Sequence, residues 1–442
     1  MKPLLPEFDN SEGGFASRTF SLARILLGAM LLAAPLPYGA VYTWAWASLT
    51  LLTMLVLILW MVGSIQEGRL RIGFSPVYAP LALLLLLGLI QLSFHLTLSP
   101  TGTKESILKL ATYLVLFFVV IQLFVVSPVE AWRHVGIGVL VFGFLFSFLS
   151  ILQFLWNPSR IIWVGHDLAG PFGPYVDRDH YAGLMEMIIP VSACYALSRP
   201  RRDPLNGLLW FGVLVPVVSL LLTGSRGGFV SVLVEIAILG SIMIWRNPLP
   251  DSPRRVAATG LALVAVAAIF FWLVPNLILN KLGTVSNYTL EAGREGRPTL
   301  WRNSLRILRD HPWLGAGLGS FVTVYPPYET HASDLVTEHA HNDYVEALTE
   351  TGWLGGALML AALLIFVPTT FRNLTVQLRR ESGWIQLGAA IACCGILVHS
   401  FVDFNLHIPA NAVWFGFCAG LASFSGRMIP RRGELSDATS AY

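Results

Sequence analysis

Twelve apolar runs, each about long enough to cross a bilayer, constrain this chain more than any other feature. A membrane-spanning helix needs roughly 20 mostly apolar residues, and the lipid core has no water to satisfy unpaired backbone groups. The sequence therefore predicts an all-α polytopic membrane protein of about 12 transmembrane helices. The runs cover approximately residues 20–38, 42–63, 77–97, 107–126, 133–156, 180–198, 205–223, 227–246, 256–275, 343–369, 384–403 and 410–425.

The composition supports a membrane protein. Hydrophobic residues make up 55% of the 442 residues and charged residues only 12%, whereas soluble domains carry roughly 25% charged residues. No basic cluster with interleaved aromatic residues is present, so nucleic-acid binding is not expected. The cysteines lie in apolar runs without metal-ligand spacing, and we interpret them as small core side chains. They are Cys194, Cys393, Cys394 and Cys418.

The distribution of lysine and arginine predicts that both termini are cytoplasmic. In that orientation, 18 of the 29 lysine and arginine residues fall in the inner segments, as the positive-inside rule requires. The predicted organisation is an N-terminal membrane bundle of about nine helices over residues 1–275. A long outer loop with short helices follows over residues 276–342. Residues 343–442 then form about three membrane helices and a cytoplasmic tail.

The second half of the long loop contains one predicted amphipathic helix, PTLWRNSLRILRDHP, at residues 298–312. Proline suits its first turn and marks its end. Trp301, Leu305 and Leu308 share one predicted face, and an arginine stripe that includes Arg302 lies on another. Two interpretations are open for the stripe, because arginine can contact lipid phosphates or steer an anionic substrate. The next motif, GAGLG at residues 315–319, is interpreted as a tight turn.

Two histidines stand immediately before the tenth apolar run, in the segment HAHNDYVEALTETGWLGG of residues 339–356. His339 and His341 are predicted to lie at the outer mouth of a transmembrane helix, where an ionisable group is expensive to place. A neutral imidazole accepts a proton near neutral pH. The segment is therefore the first candidate for acid–base chemistry.

An arginine flanked by glycines lies in the turn TGSRGG, residues 223–228, between two predicted spans. Glycine allows the backbone to approach a ligand closely, and the guanidinium of Arg226 can grip a phosphate through two hydrogen bonds. The alternative is an ordinary turn whose arginine reaches the lipid headgroups. The spacing alone does not separate these interpretations.

The segment GPFGPYVDRDHYAGLMEM, residues 170–187, places Arg178 between two aspartates. Asp-x-Asp spacing can bind a divalent metal in sugar transfer, but an arginine between the carboxylates equally favours a local ion-pair knot. Glu186 lies within a predicted span, and we expect it to face an interior cavity.

Three ionisable residues recur at four-residue spacing in HSFVDFNLHIPAN, residues 399–411. If the helix continued, His399, Asp403 and His407 would line one face. That arrangement is compatible with zinc binding or proton relay, and also with a structural network at the outer mouth. Pro409 and a predicted exit from the membrane near Phe404 weaken the single-face geometry.

No nucleotide-binding motif appears in a suitable context, so we do not expect ATP to supply energy within this chain. An outward-facing enzyme with an arginine-lined mouth would need an activated substrate. A lipid-linked donor with a phosphate or pyrophosphate leaving group fits that requirement.

The order of these motifs resembles a known family. His341-Asn342, nine residues, Gly352, two residues and Gly355 are similar to the H[NSQ]-x9-G-x-x-G pattern of bacterial O-antigen ligases. TGSRGG, followed by a long outer loop with GRPTLW and HPWLGAGLGSF, resembles the shared core of the O-antigen ligase and polymerase superfamily. The specific resemblance covers about residues 170–410.

The resemblance implies an inverting, metal-independent glycan transfer at the periplasmic face of the inner membrane, without a cofactor. The implied donor is an undecaprenyl-diphosphate-linked glycan. The acceptor is a hydroxyl of lipid A-core in ligases, and of a growing glycan or a protein in relatives. His341 would be the general base, with His339 as the alternative. Arg226 and Arg297 would hold the pyrophosphate, Arg178 would be a third cation, and His339, Asn342 and Arg302 would complete the substrate site.

Three functions are carried forward. The first is ligase activity, and the second is the same chemistry in a polymerase or a protein O-oligosaccharyltransferase. The third, a lipid-linked glycan transporter, fits less well because transporters place ionisable groups near the bilayer midplane in two related halves. Membrane lipids are expected contacts, and no oligomeric state is predicted.

Overall fold

The computed structural model describes residues 14–125, 127–161, 170–200, 202–246, 297–330, 336–372, 378 and 380–423. Within these ranges every regular element is helical, apart from one isolated bridge between Phe172 and Tyr175. The α-helices are α1 Gly14–Ala33, α2 Thr43–Gln66, α3 Tyr78–Ser93, α4 Pro100–Val125, α5 Val129–Trp156, α6 Arg178–Ser198, α7 Asn206–Thr223, α8 Arg226–Arg246, α9 Arg297–Asp310, α10 Phe321–Val324, α11 Asp343–Arg372, α12 Glu381–His399 and α13 Pro409–Ala422.

Eight of these helices are long and apolar enough to cross a membrane, judged by length and composition over the described residues. They are α2, α4, α5, α6, α7, α8, α11 and α12. The predicted runs at 20–38, 77–97 and 410–425 correspond to α1, to α3 with 16 residues and to α13 with 14 residues. The run at 256–275 lies outside the described residues. The prediction of an all-α polytopic membrane protein is confirmed.

Helices α6 and α12 form the centre of the bundle. The most apolar stretch of α6 is 89% buried and that of α12 is 72% buried, whereas that of α11 is only 17% buried. The side chains of Leu184, Ile188 and Ile391 are fully buried. Helix α11 therefore presents most of its surface outward. Trp414 of α13 belongs to the same core, so the helices after residue 343 pack directly on those before residue 275.

Helix α9 begins and ends close to the positions that the prolines predict. Its buried residues include Leu300, Ile307 and Leu308, and the arginine stripe is exposed. The predicted apolar face was wrong for Leu305, which is 39% exposed. Partial burial of Trp301 comes instead from contact with the segment before α11, as described below.

Glycines shape the junction between the loop and α11. Gly352 interrupts α11 with φ 65° and ψ −168°, a conformation that is essentially restricted to glycine. A Cβ there would collide with the backbone of Trp313 and Gly315. The buried amide of Gln91 holds the same junction, because its Nε2 donates to the carbonyl oxygens of Leu314 and Glu350. The GAGLG motif thus forms a turn packed against α3.

Candidate active site

Three helix ends meet at a polar cluster centred on Asp403. Its Oδ1 lies 3.4 Å from Nδ1 of His341 and 3.8 Å from Nε2 of His180. Its Oδ2 lies 4.0 Å from Nε2 of His399. His180 is in α6, His341 precedes α11, and His399 ends α12. We call these four residues the histidine–aspartate cluster.

Local structure after α12 sets the position of the carboxylate. The helix ends at His399 and the chain turns, so that the backbone N–H of Phe404 donates to Asp403 Oδ1 at 2.9 Å. Behind the carboxylate, Nδ1 of His399 lies 2.7 Å from Oε1 of Glu186, and both side chains are buried. This contact with Glu186 orients the imidazole of His399 so that its Nε2 faces Asp403.

The environment of Asp403 keeps it ionised. Burial favours the neutral acid, but the close contact with the imidazole of His341 and the charges of His180 and His399 outweigh it, so the pKa of Asp403 lies well below its usual range. The buried carboxylate therefore places a negative charge beside the imidazole of His341.

His341 has an unusual backbone and a divided environment. Its φ is +48°, a left-handed conformation that is uncommon outside glycine and often marks functional positions. The side chain is 31% exposed, yet Nδ1 itself is buried. The exposed part of the ring is therefore the side away from Asp403. The 3.4 Å separation from Asp403 is an ion-pair distance, and Nδ1 has no hydrogen-bond partner among the described residues. Catalytic hydrogen bonds often form fully only when substrate is bound.

Neighbouring residues tie the His341 segment in place. The side-chain oxygen of Asn342 accepts the backbone N–H groups of Tyr344 and Val345 at 3.0 Å, which caps the start of α11. Its Nδ2 donates to the carbonyl of Phe401 at 2.9 Å. On the other side, Nε1 of Trp301 donates to the carbonyl of Ala340 at 2.9 Å.

The residue that follows Arg226 in the chain packs against the histidine–aspartate cluster. Helix α7 ends at Thr223, the next residue Gly224 reverses the chain with a φ of +68°, and α8 starts at Arg226. A Cβ at Gly227 would collide with the imidazole of His399. The backbone beside Arg226 is therefore packed against the histidine–aspartate cluster, and its own side chain is exposed.

Arg297 approaches the same segment from α9. It is the first residue of that helix, four positions before Trp301, so the two share one face and are separated by about 6 Å along the axis. Because Trp301 contacts Ala340, which adjoins His341, this face of α9 lies against the histidine segment.

The predicted arginines have free, exposed side chains. In the part of the chain that the structure describes, the guanidinium groups of Arg178, Arg226, Arg297 and Arg302 make no hydrogen bond or ion pair.

The aspartates beside Arg178 belong to the start of α6. Asp177 caps this helix, because its Oδ1 accepts the backbone N–H of Asp179 at 2.8 Å.

A second polar cluster lies beside the first and contains His339. Nδ1 of His339 lies 2.8 Å from Oε1 of Glu346, and Nε2 of His407 lies 3.3 Å from the same oxygen. Nδ1 of His407 lies 2.7 Å from Oδ1 of Asp343. The single-face arrangement considered for His399, Asp403 and His407 does not occur, because α12 ends at His399 and His407 lies in a separate 3-10 turn.

The charge of His407 follows from these carboxylates. Burial disfavours its charged form, but Glu346 and the hydrogen bond with Asp343 outweigh burial and raise the pKa of His407 to about 10. The protonated imidazole therefore balances part of the negative charge at the start of α11.

Phe404 separates the two clusters and contacts three imidazoles. His339 stacks on its ring at 4.2 Å between centroids, whereas His180 and His341 meet the ring edge-on at 4.6 Å and 4.9 Å. No sequence motif marked Phe404, Asp343 or Glu346 as functional residues. The two acidic residues were visible one turn apart in HNDYVEAL, but the partner that they share, His407, follows Asp343 by 64 positions and could not be identified locally.

The family model described as O-Antigen ligase matches residues 211–360. The resemblance to the O-antigen ligase-like superfamily is confirmed. The range matched includes His339, His341 and Asn342, as well as Arg226, Arg297 and Arg302. Arg178 and the segment of residues 399–407 lie outside it, so the ligase-like domain and its flanking helices together form the candidate site.

Two relatives are similar to this chain over part of their length. The O-antigen ligase of Pseudomonas aeruginosa is 23% identical over 296 residues, which are 66% of this chain and 65% of that protein. The exopolysaccharide production protein ExoQ of Rhizobium meliloti is 25% identical over 242 residues, 51% of this chain and 52% of that protein. The matched regions span less than two thirds of either relative.

Proposed function

We propose that the protein transfers a glycan from an undecaprenyl-diphosphate carrier to an acceptor hydroxyl. The transfer takes place at the periplasmic face of the bacterial inner membrane, with both termini in the cytoplasm. One observation carries the proposal. His341 lies in the segment matched by the ligase family, its Nδ1 faces the buried carboxylate of Asp403 from outside that segment, and the other side of its imidazole is exposed.

In the proposed step, the Nδ1 proton of His341 points toward Asp403, so Nε2 is the nitrogen that accepts a proton. Nε2 removes the proton from the hydroxyl of the acceptor substrate while that hydroxyl oxygen bonds to the anomeric carbon of the donor. The bond between this carbon and the diphosphate oxygen breaks, and the diphosphate leaves with the electron pair. Asp403 stabilises the imidazolium that forms, as a buried carboxylate does in other His–Asp pairs. Attack opposite the leaving group inverts the anomeric centre.

Arginines stabilise the leaving group in this mechanism. Arg226 and Arg297 hold the diphosphate, because guanidinium binds phosphate oxygens through two hydrogen bonds and stabilises the charge that develops on them. Arg178 and Arg302 supply further positive charge at the entrance. Their exposed guanidinium groups support this role.

Two predicted binding residues have other contacts that support positioning roles. Asn342 is 5% exposed and caps α11, so it orients the backbone of His341. His339 faces Glu346 rather than Asp403, which supports His341 as the base. The reaction uses no cofactor in this proposal, since the diphosphate bond already activates the donor.

The acceptor distinguishes the related functions. Similarity to an O-antigen ligase favours a hydroxyl of lipid A-core, and similarity to an exopolysaccharide production protein favours a growing glycan. We take ligase-like transfer as the first function and polymerase as the second. Assays that offer lipid A-core, glycan and protein acceptors separately distinguish these from protein O-oligosaccharyltransferase activity.

Purified protein with a lipid-linked donor tests the proposal. We expect His341→Ala to lower the transfer rate by about 100-fold or more, the usual contribution of a general base. His311→Ala, a matched change at the end of α9, should leave the rate unchanged. Thermal melting checks that both variants fold. An equal transfer rate in His341→Ala and wild type would contradict the assignment of His341 as the base. Movement of the donor across a vesicle membrane without glycan transfer would indicate a transporter.

A further inference from the structure

Three metal-ligating side chains converge outside the histidine–aspartate cluster. His339, Glu346 and His407 each offer one ligand atom, and these atoms all lie within 4.8 Å of one another. We propose that these three residues bind one divalent transition-metal ion of the zinc class. The inference goes beyond the transfer reaction and does not depend on it.

The distances are close to those of a tetrahedral site. Zinc bonds of about 2.0–2.2 Å to nitrogen and oxygen imply ligand-to-ligand separations of roughly 3.3–3.5 Å. The separation between Glu346 Oε1 and His407 Nε2 is 3.3 Å, and that between Glu346 Oε1 and His339 Nδ1 is 2.8 Å. A movement of about half an ångström at His339 would therefore bring both of these separations to the tetrahedral value.

The surroundings orient two of the ligands for a metal. Nδ1 of His407 is engaged with Asp343 at 2.7 Å, which directs its Nε2 toward Glu346. Carboxylates that hold the second nitrogen of a histidine are typical outer partners of metal sites. Glu346 Oε2 accepts the backbone N–H of Ala340 at 2.8 Å, so Oε1 is the oxygen that faces both imidazoles. Metal binding would release two protons to solvent, one from Nδ1 of His339 and one from Nε2 of His407, because both nitrogens face Glu346 Oε1.

Charge and access also favour a transition-metal cation. Two imidazole nitrogens with one carboxylate suit zinc and its neighbours better than magnesium or calcium, which prefer oxygen ligands. A second carboxylate, Asp343, adds negative charge next to the ligands. The side chains of His339 and His407 are 26% and 32% exposed, which leaves an entry path and room for a water as fourth ligand.

The proposed metal lies beside the transfer chemistry without replacing its base. His341 is not a ligand, because its Nδ1 faces Asp403. A bound ion would instead fix His339 and, through Glu346, the backbone at Ala340. The metal would order the segment that carries His341.

Zinc titration of purified, untagged and chelator-stripped protein in detergent tests the inference. In competition with a chromophoric chelator, we expect one Zn²⁺ per chain. His339→Gln and His407→Gln should each weaken binding by at least about tenfold, and Asp343→Asn by about 10- to 100-fold. Co²⁺ should give the visible absorption of a four-coordinate nitrogen–oxygen site in the wild type and lose it in His407→Gln.

The matched control is His311→Gln, a histidine of the same loop outside both clusters, and it should bind zinc as the wild type does. Melting curves without metal identify any variant that does not fold, and His339→Gln is the less demanding change because His339 pairs with Glu346 alone, whereas His407 pairs with both Asp343 and Glu346. Failure of the wild type to bind one zinc per chain overturns the inference. An equal loss of affinity in His311→Gln and His407→Gln overturns it as well.

Discussion

Replacing Asp403 by asparagine is the sharpest test of the proposed base. Phe404 N–H donates to Oδ1 at 2.9 Å, so the amide oxygen of the substituted side chain should occupy that position and still face His341. The substitution then removes the charge but keeps the acceptor. Shape and orientation are largely retained, and the difference reports the electrostatic role of the carboxylate.

The expected magnitude follows from the distance. Two unit charges 3.4 Å apart interact by about 5 kcal/mol at an effective dielectric constant of about 20. His180 and His399 share the charge of Asp403, and partial exposure of His341 screens it, so roughly a third to a half of this value should reach the transition state. At about 1.4 kcal/mol for each factor of ten, kcat should fall by about tenfold to 100-fold.

Steady-state transfer with a lipid-linked donor measures this change. The KM for the donor should change little, because Asp403 does not contact the diphosphate in the proposal. Asp310→Asn is the control, because Asp310 is an exposed carboxylate on α9 that accepts a hydrogen bond from Tyr328. Wild-type kcat for Asp403→Asn, or an equal loss in the control, would refute the reasoning.

Three further predictions concern the leaving group, the fold and pH. Arg226→Ala and Arg297→Ala should each lower transfer by at least about tenfold, with only partial recovery by lysine; full recovery in kcat/KM would argue against a bidentate grip. Gly352→Ala should lower Tm, because backbone strain of about 1–3 kcal/mol adds to the clash of the new Cβ with the backbone of Trp313 and Gly315. Gly138→Ala should not lower Tm, because a Cβ there would meet no atom within 4 Å. Because the pKa of His407 rises from 6.5 to about 10, its stabilisation is complete below about pH 6.5 and is lost as the pH rises through 10. The Tm difference between wild type and His407→Gln, measured with a chelator present, should therefore shrink between about pH 6 and pH 10.5, and a constant difference would contradict the assignment.

Hydropathy located the helices but not their depth in the bundle. Helix α6 has the lowest mean hydropathy of the eight candidate spans, 1.3, yet it is the most buried at 89%. Its polar residues Glu186 and His180 face partners in α12 and in the turn after it. The hydropathy of a sequence window measures whether a run is apolar. It cannot show whether the helix surface faces lipid or packs against other helices whose side chains pair with its polar residues.

Local signals predicted turns and caps but not the contacts that join them. The prolines at 298 and 312 bracket α9, and the four-residue spacing in HSFVDFNLH was visible in the sequence. The helix ends at His399, however, so the four-residue spacing no longer places His399, Asp403 and His407 on one helix face. Gln91 was hidden inside an apolar run, and its contact with Glu350 joins residues 259 positions apart. Such pairings depend on the whole bundle.

The backbone at His341 decides which imidazole serves which cluster. In an extended segment, residues two apart point the same way, so His339 and His341 would compete for one carboxylate. The positive φ of His341 breaks that alternation. His339 then meets Glu346 while His341 meets Asp403, with Phe404 between the two rings. The strain stored at one residue thus separates a base from a neighbouring ligand, and it favours His341 over His339 in the transfer step.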